Sequence, residues 1–386
     1  MSVTSEIYLD NAATTRPWPQ AIAAVCAALG DDFGNASSLH RRGTAAARAI
    51  GDASDAVAAL VGGGEWKVVF TSGGSEADAM AVLGTVPRGR RDTLVTSTVE
   101  HAAVEEAGKR LAAAGARHVE IVAGVNGVVD PVAVLAAVDE RTALVSVTHV
   151  ANEMGTVQPV AEIAARVKAK APRCRVHVDA VQAAAQCARL DYPPAVDMVS
   201  ISAHKLHGPQ GVGALLLRPD VAVRPLFEGG DQQGGLRPGT LNYPGIAGLG
   251  AAAKEITARR GAAVPAMAAL GARLSSGICG AAPGVRTLGA VESRAPGIIV
   301  MAVEGVRSEV LLHALEMRGV LASSGAACHA RRSEPPRCLR DAGLRGSEGS
   351  VRFSLSYDTT ADEVERAVAA FAAAVAAVRA GRAGEG

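Results

Sequence analysis

Four short segments of this 386-residue chain carry residues that could do chemistry. They are the turn at residues 71–76, with the sequence TSGGSE, and three single residues, His101, Asp179 and Lys205. Each follows a short apolar run that predicts a buried β-strand. Because ligands of an open parallel sheet collect where strands end and helices begin, we expect all four segments at one edge of a sheet.

The turn at residues 71–76 has the composition of a phosphate site. Its two glycines would let the backbone approach an anion closely. The helix predicted to follow would offer free N–H groups and the positive end of its dipole. The alternative is an ordinary strand-to-helix turn in which Ser75 caps the helix.

His101, Asp179 and Lys205 would complete a site for a flat ligand that carries charge. An imidazole can stack on a ring, and a carboxylate can pair with a protonated pyridine nitrogen. A lysine sheltered in a crevice loses part of its affinity for protons, so its amine becomes a nucleophile. The alternatives are a capped or core histidine, a helix-capping aspartate and a solvated loop lysine.

Together the four segments supply a phosphate cradle, a ring stack, a pyridinium partner and a Schiff-base lysine. Pyridoxal 5'-phosphate requires all of these. The glycine-rich stretch at residues 207–213 supports this interpretation, because a rigid segment after Lys205 would hold the lysine in place. The sequence therefore predicts an enzyme that uses this cofactor, without a metal site.

Nearly the whole chain resembles the cysteine desulfurase family, a branch of the class-V aminotransferase-like enzymes. The segments that carry the resemblance follow the family's order: YLDNAATT at 8–15, FGNASSLH at 33–40, ANEMGT at 151–156, DMVSISAHK at 197–205, RPGT at 237–240, SSGAAC at 323–328 and VRFSL at 351–355. The resemblance implies fold type I, pyridoxal phosphate as the cofactor, and a homodimer.

The resemblance also implies how the cofactor is held. Lys205 would carry it as a Schiff base, Asp179 would pair with the pyridine nitrogen, and His101 would stack on the ring and take part in catalysis. Gln182 would meet the phenolic oxygen. The implied phosphate contacts are Gly74, Ser75, Ser202 and His204, with Thr240 reaching in from the second subunit.

For the substrate, the resemblance implies L-cysteine, converted to L-alanine. Arg352 and Asn152 would grip its carboxylate, a task that suits the guanidinium fork, and Asn35 would also bind substrate. Cys328 would take the sulfur as a persulfide and pass it to an acceptor protein, an iron–sulfur scaffold or another sulfur carrier.

Cys328 also stands out among the six cysteines by its surroundings. It lies in a segment of small residues and is followed by His329, Arg331 and Arg332. Positive charge nearby lowers the pKa of a thiol and raises its thiolate fraction. The alternatives are that Cys328 is a buried structural cysteine or that Cys338, ten residues on, is the sulfur carrier.

Three competing functions remain open at this point. Pro238 and the Cys328–His329 pair also resemble the selenocysteine lyase branch. An aminotransferase of the same fold would need no thiol and would form a keto acid. A nucleotide-binding or scaffold protein could use the same sheet without covalent chemistry.

The elements that must position these residues follow from the hydrophobic pattern. Apolar β-rich runs alternate with Ala-rich helical patterns, which predicts a mostly parallel, doubly wound sheet. Predicted strands lie at residues 67–70, 93–97, 143–148, 175–178, 198–201 and 212–217. Predicted helices lie at 76–83, 102–113, 160–170, 246–274 and 361–378.

With the resemblance, this pattern gives an α/β chain with a seven-stranded sheet in a large domain and a smaller α+β domain. Weaker strands are predicted near residues 297–303 and 351–355. We assign residues 15–258 to the large cofactor-binding domain. Residues 1–14 and 259–386 form the small domain, which carries the Cys328 segment.

The composition sets outer limits on function. Hydrophobic residues make up 49% of the chain and charged residues 20%, enough apolar material for a sizeable core. The net charge is +1, without a long run of Lys and Arg, so direct nucleic-acid binding is not expected. The longest apolar run, near 367–378, is too short to span a bilayer, and the first residues do not resemble a signal peptide. We expect a cytoplasmic enzyme.

Overall fold

The computed structural model describes residues 6–86, 91–325 and 337–383. The strands of these residues are β1 (Ile7–Tyr8), β2 (Lys67–Thr71), β3 (Thr93–Ser97), β4 (Arg117–Ile121), β5 (Thr142–Thr148), β6 (Arg175–Asp179), β7 (Met198–Ser202), β8 (Gly213–Leu217), β9 (Val285–Thr287), β10 (Ile298–Glu304), β11 (Val320–Leu321) and β12 (Glu348–Ser354). The helices are α1 (Pro19–Leu29), α2 (Arg41–Val61), α3 (Gly74–Thr85), α4 (Ala102–Ala113), α5 (Pro131–Ala137), α6 (Val160–Lys170), α7 (Ala183–Gln186), α8 (Tyr243–Ala281), α9 (Ser308–Glu316), α10 (Arg337–Asp341) and α11 (Ala361–Ala383).

Seven strands form one sheet in the order β2-β8-β7-β6-β5-β3-β4. The neighbours from β7 to β4 are all parallel, and β8 runs antiparallel to both β2 and β7. The predicted α/β class with a mostly parallel, seven-stranded sheet is confirmed. Strand β4 was missed by the prediction, because RHVEI is polar and partly exposed at the sheet edge.

The inner strands are short, apolar and buried on both faces. Every residue of β5, β7 and β8 is buried, as expected when helices cover both sides of a parallel sheet. Because β2 also runs in the same direction as β7, its end lies at the same edge as the ends of the parallel strands. This shared edge positions the site.

A second hydrophobic cluster lies around the antiparallel sheet β12-β10-β9. It draws residues from both ends of the chain: Ile7 and Leu9 pack with the far half of α8, with α9 and with α11. Strand β1 pairs with β11 in parallel, so residues near the start of the chain are tied to residues more than 300 positions later. The division at residues 15–258 stays a proposal.

Helix α8 extends past its predicted ends on both sides, from Tyr243 to Ala281. Among the described residues it is the helix long and apolar enough to cross a membrane, by length and composition only. The sequence prediction considered only residues 367–378 for a membrane span and did not single out α8. In the structure α8 packs along α1, α2 and α11, and it contributes residues to both large hydrophobic clusters. A core helix passes the same test of length and composition.

Candidate active site

A cavity of about 250 Å³ opens at the strand ends. Ten of the residues proposed for the site from sequence line it together: Gly74, Ser75, His101, Asn152, Asp179, Gln182, Ser202, His204, Lys205 and Arg352. They come from six separate stretches of the chain. The sheet therefore brings residues that are far apart in sequence to one place.

The anion-binding end of the cavity is the N-terminus of α3. Gly74 is the first helical residue and lines the cavity with Ser75, so the free N–H groups of the first turn are available there. The preceding turn packs tightly on β8: a Cβ atom on Gly213 would lie 2.6 Å from the carbonyl carbon of Gly73. The absence of a side chain on Gly213 is what allows this close approach.

Lys205 ends a short 3-10 turn that follows β7. The backbone there folds back sharply, with the N–H groups of Leu206 and Gly208 both donating to the carbonyl of Ala203, at 2.8 and 2.9 Å. The side-chain amine of Lys205 donates to the carbonyl oxygens of Ala12 and Ala13, at 2.5 and 2.6 Å. The lysine is thus held in the cavity rather than in a solvated loop.

His204, beside the lysine, is a neutral group in this setting. Burial, together with the nearby charges of Lys205 and His101, lowers the pKa of His204 to about 4. Its Nδ1 lies 3.2 Å from the hydroxyl oxygen of Thr14. A neutral imidazole can donate one N–H to an anion without the cost of burying a charge.

Asp179 is the last residue of β6, and it is buried. Burial raises the pKa of its carboxyl, while the positive charges of His101 and Lys205 act in the opposite direction. The N–H of Val181 donates to its Oδ1 at 2.9 Å. A cation placed against this carboxylate would stabilise the ionised form, since an opposite charge at close range favours ionisation.

A second buried carboxyl lies close to this one. Asp78, on α3, also lines the cavity, and its Oδ1 has no hydrogen-bond partner among the described residues. Burial and the neighbouring Asp179 raise the pKa of Asp78 well above its ordinary value. Two neighbouring buried carboxyls cannot both ionise cheaply, and the pKa of Asp78 is the one raised further from its ordinary value.

His101 both caps a helix and lines the cavity. Its Nδ1 accepts the backbone N–H of Ala103 at 3.1 Å at the start of α4. The capping alternative and the site prediction are therefore compatible. Because Nδ1 accepts this hydrogen bond, the N–H donor of the ring is Nε2.

The far wall of the cavity carries an arginine. Arg352, on β12, is 1% exposed, and its Nη1 donates to the backbone carbonyl of Asn152 at 2.8 Å. Its Nη2 pairs with Asp10 Oδ1, also at 2.8 Å. Nearer the lysine, the side-chain amide of Gln182 donates to the carbonyl of Ala12 at 2.8 Å.

Two predicted residues lie away from this cavity in the single chain. Asn35 lines a separate surface groove with Phe33 and Tyr243. Thr240 is exposed next to Leu241 of the same groove. Their assignments stay predictions. Cys328 lies outside the described residues.

Several residues of the cavity were missed by the sequence prediction. Ala12 and Ala13 act through their carbonyl oxygens, which leave no signal in a sequence. Asp78 and Thr148 line the cavity from α3 and from the end of β5. The one available signal was an aspartate in the mostly apolar helix α3.

The residues present fit pyridoxal phosphate. The N-terminus of α3 with Ser75 suits a phosphate. The buried carboxylate of Asp179 suits a basic ring nitrogen, and the sheltered amine of Lys205 suits an aldehyde. Each of these groups lines the same cavity.

Comparison with known proteins identifies the family of this chain. The family model for aminotransferase class V matches residues 7–367. The chain is 42% identical over 376 residues to a cysteine desulfurase of Cereibacter sphaeroides, covering 93% of each chain. It superposes on the solved structure of a NifS-like protein with a TM-score of 0.88 at 31% identity, covering 96% of this chain and 99% of the other. A structure described as SspA in complex with cysteine matches with a TM-score of 0.78 at 27% identity, covering 92% and 99%.

The fold and the site define a pyridoxal-phosphate-dependent enzyme of the aminotransferase class-V family. Within that family, the chain belongs to the cysteine desulfurases. This confirms, over nearly the whole chain, the resemblance to the cysteine desulfurase family.

Proposed function

We propose that this enzyme converts L-cysteine to L-alanine and transfers the sulfur to Cys328 as a persulfide. The bond between Cβ and sulfur of the substrate breaks, and a sulfur–sulfur bond to Cys328 forms. A sulfur-acceptor protein or a small thiol then takes the sulfur, in a cytoplasmic setting. The observation that supports this proposal best is the convergence of Lys205, Asp179 and Arg352 on one cavity.

Lys205 supplies the amine that binds the cofactor. When bound, pyridoxal phosphate supplies an aldehyde for amines and a ring that withdraws electrons from the substrate's Cα. Once substrate has displaced it, the amine of Lys205 takes the proton from Cα. The carbonyl oxygens of Ala12 and Ala13 can then hold the resulting ammonium, as they do in this structure.

Asp179 and His101 would orient the ring. A negative Asp179 would keep the ring nitrogen protonated, because Asp179 is buried and charge interactions are strong in such a place. His101 is fixed by its cap at α4, which leaves the face of its imidazole for stacking. Ser75, Ser202 and neutral His204 would hold the phosphate.

Arg352 would hold the substrate carboxylate together with Asn152. The Nε of Arg352 is buried and has no hydrogen-bond partner among the described residues. A guanidinium has five N–H donors in a planar fork. A carboxylate can therefore bind Arg352 while Nη1 and Nη2 keep the contacts that they make in this structure.

The structure gives a reason to prefer Cys328 over Cys338 as the sulfur carrier. Cys338 is buried on α10, and its thiol donates to Glu153 Oε2 at 2.5 Å. Burial and the nearby Glu153 raise the pKa of the Cys338 thiol well above its ordinary value. A thiol that stays protonated is a poor nucleophile. This weakens the case for the rival cysteine.

We also propose a homodimer, on the basis of one surface. Leu29, Phe33 and Leu39 are 67%, 57% and 100% exposed. Asn35 lines the same groove as Phe33, and Thr240 precedes Leu241, which also lines it. Large exposed apolar side chains of this kind are typical of protein interfaces. A second copy on this face would cover them and bring Thr240 towards a phosphate site.

Product analysis tests the activity directly. Purified enzyme given L-cysteine should release alanine and sulfide in equal amounts in the presence of a thiol, and a keto acid should not form. 3-Mercaptopyruvate with an aminated cofactor would favour an aminotransferase instead. A strong preference for selenocysteine, with negligible turnover of cysteine, would favour the selenocysteine lyase. A protein without bound cofactor colour or covalent adduct would contradict the proposal.

A further inference from the structure

Asp10 forms an ion pair with the arginine assigned to the substrate. Asp10 Oδ1 lies 2.8 Å from Arg352 Nη2, although the two residues are 342 positions apart. The arginine is 1% exposed, whereas the side chain of Asp10 is 21% exposed. Asp10 therefore lies on the outer side of the guanidinium.

The ion pair offsets the cost of burying the Arg352 guanidinium. A buried arginine without a counter-charge is costly, because desolvation is not offset by a partner. Asp10 neutralises Arg352 when no substrate is present. It also fixes Nη2 while the carbonyl of Asn152 fixes Nη1, so the plane of the guanidinium is set from two sides.

Asp10 is itself held by main-chain contacts. It forms a parallel bridge with Ser354 on β12. The N–H of Ser354 donates to the carbonyl of Leu9 at 2.7 Å, and the N–H of Asn11 donates to the carbonyl of Ser354 at 3.3 Å. Because Arg352 lies on that same strand, the main chain holds Asp10 beside Arg352.

We propose that Asp10 is a positioning residue for substrate binding: its carboxylate anchors the Arg352 guanidinium so that the remaining N–H donors face the substrate's carboxylate. This inference rests on the proposed role of Arg352. The opposite relationship is that Asp10 competes with the substrate for Arg352. The two relationships predict changes of opposite sign when Asp10 is replaced.

The test measures binding of L-alanine to the cofactor-loaded enzyme, followed by the absorption of the cofactor. Ethylamine, the same amine without the carboxylate, is the matched ligand. Asp10→Ala should weaken L-alanine binding on the order of tenfold, the loss expected for a charge-assisted contact, and leave ethylamine unchanged. Asp10→Asn should bind L-alanine within about threefold of the original enzyme, because its amide oxygen still accepts from Nη2.

Control variants separate this inference from the function on which it rests. Asp92→Ala breaks the ion pair between Asp92 and Arg141 (2.8 Å), which lies outside the cavity. This variant should leave the binding of both ligands unchanged. Arg352→Lys should weaken the binding of L-alanine and leave the binding of ethylamine unchanged. If Arg352→Lys does so and Asp10→Ala does not, the positioning role is wrong while the substrate contact stands. If Arg352→Lys has no effect, the substrate contact and the positioning role both fail.

Two further outcomes overturn the positioning role. Tighter L-alanine binding in both Asp10 variants would show that Asp10 competes with the substrate. Equal weakening of L-alanine and ethylamine, with a loss of bound cofactor, would show a purely structural role.

Discussion

The amine of Lys205 lies 2.5 Å from the carbonyl oxygen of Ala12, a residue 193 positions earlier in the chain. The N-terminal segment is therefore part of the cavity wall. The Ala12 carbonyl of this segment accepts a hydrogen bond from Lys205, and its Asp10 carboxylate pairs with Arg352. When Lys205 is not bound to the cofactor, its amine needs hydrogen-bond acceptors such as this carbonyl, because an unpaired buried ammonium is costly.

We expect Lys205 to be the residue that binds the cofactor covalently. Borohydride reduction followed by peptide mass mapping should place the pyridoxyl group on Lys205. Lys205→Ala should abolish the adduct and the turnover of L-cysteine. Lys254, exposed on α8, provides the control, and Lys254→Ala should behave as the unmodified enzyme. An adduct on any other lysine would disprove the assignment.

Cys328 should be required for sulfur release, and Cys338 should not. Cys328→Ser should keep the yellow cofactor and still bind L-cysteine, yet lose sulfide release. Cleavage of selenocysteine should be lost less completely, since selenium leaves more easily. Cys338→Ser should retain sulfide release, because that thiol is buried and protonated. If Cys328→Ser desulfurates L-cysteine at the original rate, Cys328 is not the sulfur carrier.

Glu100 should make stability depend on pH. Burial raises the pKa of its carboxyl from 4.5 to about 8. The folded protein therefore binds this proton more tightly than the unfolded chain, and the associated stability is lost as pH rises from about 4.5 to about 8. Glu100→Gln keeps the group neutral at every pH. The variant should gain on the order of a few kcal/mol in free energy of unfolding, relative to the original protein, between pH 5 and pH 9.

Thermal melting across this pH range measures the effect. Glu140, an exposed residue after α5, provides the matched control, and Glu140→Gln should show a nearly constant difference in Tm. If the difference in Tm between Glu100→Gln and the original protein does not grow with pH, the prediction that Glu100 is buried with a raised pKa is wrong.

The proposed homodimer should depend on Leu39, which is 100% exposed. Leu39→Glu places a charge on the exposed apolar surface and should shift the protein from dimer to monomer in sedimentation velocity. Met317, 72% exposed on another part of the surface, is the control, and Met317→Glu should stay dimeric. An original protein that is monomeric with full cofactor occupancy would contradict the shared site.

The sequence alone determined most of the central sheet. The inner strands β5, β6, β7 and β8 were predicted to within a residue or two, because strands buried on both faces are continuous apolar runs. Strand β4 was missed because an edge strand is paired on one side only and tolerates polar residues. Its place in the sheet is decided by pairing with β3, which no local pattern encodes.

Much of the candidate site was also predictable from sequence. Residues that follow parallel strands meet at one edge by geometry, so Ser75, His101, Asp179 and Lys205 could be grouped before the structure was known. All four line the cavity. Their types carry a chemical signal because each side chain suits a different part of one cofactor.

Only the tertiary structure decided how the two ends of the chain complete that site. Ala12 and Ala13 contribute carbonyl oxygens that every residue possesses, so their role has no local signature. The pairing of Asp10 with Arg352 depends on strand β12 lying beside the N-terminal segment. The raised pKa of Asp78 and that of the Cys338 thiol likewise follow from what packs around them. Desolvation and charge proximity are properties of the folded chain, and they determine which of these groups are ionised.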